Sequence, residues 1–142
     1  MKIITKYFDC LPFIILAATI WYFSSQNGHS SDAQSLIFAD FFTLPNLLVR
    51  KFAHAFIYFL LGLSIGFPLS RHRRSFFPSF KLIAFGLLIG SLYATIDEIH
   101  QSLIPGRSGQ ITDVLLDSLA VLAGLLFYAV VSTLVGCCSK TN

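Results

Sequence analysis

Residues 93–117 read YATIDEIHQSLIPGRSGQITDVLLD, a charged corner between two long apolar runs. The stretch holds four of the chain's seven acidic residues. A charge at membrane depth costs about 2.5–3.5 kcal/mol on insertion scales, so a cluster of charges there points to a task. Asp97, His100 and Gln101 stand at i, i+3 and i+4, and share one face if that segment is helical. Asp113 and Asp117 are again i, i+4. Between them Pro105-Gly106-Arg107-Ser108-Gly109 is a turn by composition, with Pro ending one helix and Gly permitting positive φ. The pattern predicts two membrane helices joined by a tight turn, their facing ends lined with polar groups.

The rest of the composition agrees. At 142 residues, 55 % hydrophobic and 12 % charged, with a mean hydropathy of +0.73, the chain reads as one membrane domain over residues 1–142. The net charge of +3 comes mostly from short flanks of apolar runs. No basic stripe with interleaved aromatics occurs, which argues against a nucleic-acid partner. The three cysteines, Cys10, Cys137 and Cys138, are odd in number and lack C-x-x-C spacing, which argues against a disulfide framework and a zinc site.

Four apolar runs predict an all-α, four-transmembrane-helix bundle with spans at about residues 7–23, 45–69, 81–103 and 112–136. The first follows Lys2 and Lys6 and lacks a small-x-small cleavage site, which makes it a signal anchor. Within the connection that follows, Ser31 and Gln34 fit a capping box. Leu36, Ile37, Phe38, Phe41 and Phe42 then predict a short amphipathic helix on the bilayer surface. Gly62/Gly66, Gly86/Gly90 and Ala120/Gly124 are small-xxx-small pairs that let helices approach closely.

Seven of the ten Lys and Arg residues fall in the N-terminus, the second connection and the tail. The positive-inside rule puts those segments, and both termini, in the cytoplasm. The other three cations, Arg50, Lys51 and Arg107, lie on the outer side, in the same places as the polar motifs. The start of the second span, the end of the third and the start of the fourth then converge at one level. The site expected there gathers Arg50, Lys51, His54, Tyr58, Asp97, Glu98, His100, Gln101, Arg107, Asp113 and Asp117. Asp117 lies about 6 Å deeper than Asp113 from the helical rise, and is expected to be neutralised by Lys51, with Arg107 on Asp113 or on a ligand.

Arg and Lys beside a bilayer suit a phosphate or carboxylate head group. His54, Asp97, Glu98 and Asp113 are the candidates for catalysis, as base and orienter. Arg50, Lys51, Tyr58, His100, Gln101, Arg107 and Asp117 are candidates for holding the substrate. Asp97, Glu98, His100 and Asp113 could hold a divalent cation. Their D-E-x-H spacing differs from the H-E-x-x-H pattern that puts two His on one helical face, so no metal is assigned, and no residue pattern names a cofactor. In the alternative reading the cluster is a structural ion-pair network in a non-catalytic scaffold.

RKFAHAFIY (residues 50–58) followed by YATIDEIHQSLIPGRSGQITDVLLDSL resembles the VanZ-like family of small bacterial membrane proteins, over residues 12–124. The family's Lys-x-x-His falls on Lys51 and His54, followed by Tyr58. Its Asp-Glu-x-x-Gln falls on Asp97, Glu98 and Gln101, and its later polar positions on Arg107, Asp113 and Asp117. Members commonly carry Glu before the Tyr, where this chain has Ile57. The family is named for a protein linked to low-level resistance to the glycopeptide teicoplanin. The resemblance therefore implies work in the cell envelope, with a membrane lipid or lipid-linked envelope precursor as partner.

Overall fold

The computed structural model describes residues 9–27, 36, 45–71 and 80–138. Among them all regular structure is helical: α1 (Leu11–Ser24), α2 (Asn46–Arg71), α3 (Phe80–Ser102) and α4 (Ile111–Cys138). The predicted surface helix lies outside the described residues except for Leu36, which is helical and exposed. The basic segment 72–79 also lies outside them.

Three helices are long and apolar enough to cross a membrane, over Leu47–Leu69, Phe80–Ser102 and Ile111–Val135. The first predicted span is shorter as described: 14 residues in α1 rise about 21 Å, against a hydrocarbon core of about 30 Å.

The polarity of the helices is inverted relative to a water-soluble bundle. On α3, Leu88, Leu92, Ile96 and Ile99 face outward, each more than half exposed. Its buried face instead carries Gly86, Gly90, Ala94, Asp97, Glu98 and Gln101. Phe52 and Phe56 on α2, and Leu115 and Leu119 on α4, are likewise exposed. So much contiguous apolar surface fits a lipid surround. The core is small: Tyr58, Leu61, Ile65, Ala94, Val121 and Leu125, with Ile20 from α1.

Glycines set the helix spacing. A Cβ on Gly62 would sit 2.3 Å from the Val121 carbonyl oxygen, and one on Gly124 2.2 Å from that of Phe59. Backbone therefore lies on backbone between α2 and α4. Gly62 meets Val121 and Gly66 meets Tyr128, so the two helices run parallel. α3 runs antiparallel to both, with Gly90 against Val121 and Gly86 against Leu125. α1 runs parallel to α3: the Tyr93 hydroxyl donates to the Ala17 carbonyl at 2.6 Å, and farther along both helices Gln101 Nε2 donates to Ser24 Oγ at 3.2 Å. This topology brings the ends of α1 and α3 and the starts of α2 and α4 to one end of the bundle.

Candidate functional site

The turn between α3 and α4 closes that end. The Arg107 amide donates to the Ile104 carbonyl at 3.1 Å, and Gly106 has φ 77°. Pro105 and Gly106 thus occupy the two central positions as a type II turn requires. Glu98 anchors the turn from below: its Oε1 accepts the Gln110 backbone N–H at 2.7 Å, just before α4 begins. A carboxylate placed there complements the positive end of the helix dipole.

Two rungs join α2 to α4. Lys51 Nζ donates to Asp113 Oδ1 in an ion pair with both side chains about 30 % exposed. One helical turn deeper, His54 Nδ1 lies 3.6 Å from Asp117 Oδ2, with Asp117 almost fully buried. The expected pairing of Lys51 with Asp117 is therefore corrected. In parallel helices residues at the same depth face each other; Lys51 precedes His54 by three residues and Asp113 precedes Asp117 by four, so each cation meets the acid of its own level. Arg107 does not turn to Asp113 either. Its Nη1 and Nη2 donate to the Ser24 and Phe23 carbonyls at 3.5 and 3.3 Å. These carbonyls end α1, where the dipole favours a cation.

A second network lies between α2, α3 and α1. Asp97, 1 % exposed, accepts from the Tyr58 hydroxyl at 3.1 Å and from Gln101 Nε2 at 2.9 Å, both on Oδ2. Gln101 Nε2 also reaches Ser24 Oγ at 3.2 Å. Asp97 Oδ1, Asp117 Oδ1 and His54 Nδ1 are buried atoms with no hydrogen-bond partner among the described residues.

Above these networks is a cavity of about 190 Å³. Seven of the eleven expected residues line it: Arg50, Lys51, His54, Gln101, Arg107, Asp113 and Asp117. The other four do not. Tyr58 is fully buried and Asp97 nearly so, and Glu98 is committed to the turn. His100 lies to the side, stacked on Trp21 with ring centroids 4.1 Å apart, and its Nε2 is 3.1 Å from Ser25 Oγ. The divalent-cation set therefore disperses, because Asp97, Glu98, His100 and Asp113 face four different partners. Among the described residues no three His, Cys, Asp or Glu side chains form a group that could hold a metal ion. Ile57, where the family commonly has Glu, is half-buried and packs against the apolar core.

Sequence reasoning missed the contribution of α1, which supplies Ser24 and the Phe23 carbonyl. The available signal was the polar stretch SSQN directly after the first apolar run, at the level of the corner. It also missed Gln110, whose part is played by its backbone.

A comparison with the curated proteins and one with the solved structures find no match. The VanZ/LLP1 family model matches residues 10–132, which take in the cavity, both networks and all of the helices but the last residues of α4. The chain is a membrane protein of the VanZ/LLP1 family.

Proposed function

We propose that the protein is an inner-membrane envelope factor whose cavity, on the outer side, binds the phosphate or other anionic group of a lipid-linked envelope component. The observation that carries this reading is the lining of the cavity of about 190 Å³: three cations, Arg50, Lys51 and Arg107, with His54, against two carboxylates, Asp113 and Asp117. That volume is below the 300–1,000 Å³ of pockets that enclose whole drug-sized ligands. A head group enters while its chain stays in the bilayer. Arginine forks suit phosphate oxygens, and lipid has direct access because the flanks of the bundle are apolar. The family's link with glycopeptide resistance supports an envelope role, and an enzymatic version would act on the bound group at a phosphate or ester.

A specific observation favours a second reading. Lys51–Asp113 and His54–Asp117 bridge the same two helices, as a purely structural network in a scaffold would. Mass spectrometry of lipid-linked envelope precursors separates the two. Deleting the gene is expected to change the abundance of a phosphate-bearing precursor, and Lys51→Ala or His54→Ala is expected to reproduce the change at wild-type protein levels. Disappearance of the variant proteins, with unchanged precursors in the deletion strain, supports the scaffold.

The orientation is a separate prediction, from the seven-to-three division of basic residues. In a background without Cys10, Cys137 and Cys138, cysteines introduced within residues 70–79 are expected to resist a membrane-impermeant thiol reagent in intact spheroplasts. Those at Asn27 or Ser108 are expected to react. The opposite labelling moves the cavity to the cytoplasmic side.

A further inference from the structure

We propose that His54 and Asp117 form a proton-accepting pair, in which His54 Nε2 takes the proton of a hydroxyl group or water molecule seated in the cavity and Asp117 is its positioning residue. This deepens the reading of the cavity as a site for a phosphate-bearing lipid component, and rests on it for the ligand. The pair itself rests on geometry. His54 lines the cavity, and its buried Nδ1 lies 3.6 Å from Asp117 Oδ2. An imidazole has two distinct nitrogens, and the group facing one decides which carries the proton. A carboxylate opposite Nδ1 holds the proton there and leaves the Nε2 lone pair for the cavity, as in triads that orient histidine by a buried acid. The contact is longer than a formed hydrogen bond. Such contacts in unliganded sites commonly tighten when the ligand closes the site.

Burial supports the assignment. Asp117 is 1 % exposed and lines the same cavity, and its Oδ1 has no hydrogen-bond partner among the described residues. Buried polar atoms are rarely left without one, and an O–H donor entering the cavity supplies it. Asp113, one turn above, is already paired with Lys51, and Asp97 does not line the cavity. Asp117 is thus the carboxylate with capacity both to orient His54 and to accept from an O–H donor. A water molecule has two hydrogens, one to donate to Asp117 Oδ1 and one to pass to Nε2. A ligand hydroxyl gives its single proton to Nε2. The O–H electron pair stays on the oxygen, and the imidazolium formed is stabilised by the Asp117 carboxylate.

The test is ¹⁵N NMR of histidine-labelled full-length protein in lipid nanodiscs, with the His54 resonances identified by their loss in His54→Gln. In wild type the neutral ring is expected to carry its proton on Nδ1. In Asp117→Asn that preference is expected to be lost, and Asp117→Glu to restore part of it. A wild-type ring protonated on Nε2, or a preference unchanged in Asp117→Asn, overturns the proposal. The wild-type measurement alone decides the matter if the Asn variant fails to fold. Titration with inorganic phosphate and with dodecyl phosphate, followed by ³¹P NMR, separates this proposal from the one beneath it. Binding of dodecyl phosphate with an Nε2-protonated His54 removes the pair and keeps the site. An Nδ1-protonated His54 with neither probe bound keeps the pair and removes the phosphate reading.

Discussion

Gly124→Leu is expected to abolish folded protein, and Gly124→Ala to lower the melting temperature in detergent despite the better helix propensity of alanine. A Cβ at this position lies 2.2 Å from the Phe59 carbonyl oxygen and 3.0 Å from the Leu63 nitrogen. Both are backbone atoms, so no rotamer change relieves the overlap, and α2 and α4 must separate. The alanine gains about 1 kcal/mol of propensity over glycine. Overpacking costs about 1–3 kcal/mol where side chains can adjust, and more where they cannot. The overlap therefore wins. Separation also pulls Lys51 from Asp113 and His54 from Asp117, so precursor levels are expected to change with stability. Ala123→Leu is the control: the neighbouring residue faces outward and is exposed, so it is expected to be tolerated. Gly124→Ala melting at or above the wild-type temperature would mean that the two backbones are not in contact there.

This contact was legible in advance because it is a matter of spacing along one helix. Gly62, Gly86, Gly90 and Gly124 recur at small-xxx-small intervals, and each proves to sit where another helix passes closely. The turn was legible for the same local reason: Pro105 and Gly106 have backbone preferences independent of the remainder of the fold. Local spacing says which residues share a face, but not how far one helix is rotated or slid against the next. That is why the convergence of Lys51, His54, Arg107, Asp113 and Asp117 was readable while their pairing was not. A shift of one helical turn exchanges Asp113 for Asp117 opposite Lys51, and the close approach of α2 and α4 at Gly62, Gly66 and Gly124 excludes it.

The shared face of Asp97, His100 and Gln101 shows the same limit. The three residues are i, i+3 and i+4, yet Asp97 and Gln101 point into the bundle while His100 turns to Trp21 on α1 and to Ser25 just past its end. At 3.6 residues per turn His100 lies about 60° to one side of Asp97 and Gln101 about 40° to the other; the next helix decides which of them it covers. α1 also stayed hidden as a contributor because its run is apolar throughout, and its polar service begins only at Ser24.

Asp97→Ala is expected to destabilise the protein far more than Tyr58→Phe. Asp97 Oδ2 is the acceptor for two buried donors, the Tyr58 hydroxyl and Gln101 Nε2. Loss of the carboxylate leaves the hydroxyl unsatisfied in a fully buried position, whereas Gln101 keeps Ser24 Oγ at 3.2 Å. An orphaned buried donor costs about 1–3 kcal/mol, and the vacated volume adds to this. Tyr58→Phe removes one bond and keeps the ring in place. Bonds of this kind inside membrane proteins average about 0.6 kcal/mol, because the unfolded chain also finds partners in the bilayer. Detergent melting of the two variants is expected to show a drop of several degrees for Asp97→Ala and a marginal one for Tyr58→Phe. Asp97 does not line the cavity, so its effect on envelope precursors is expected to follow the loss of folded protein. An Asp97→Ala protein that melts like wild type but loses the precursor effect would instead draw Asp97 into the chemistry, through a path that connects it to His54 and Asp117.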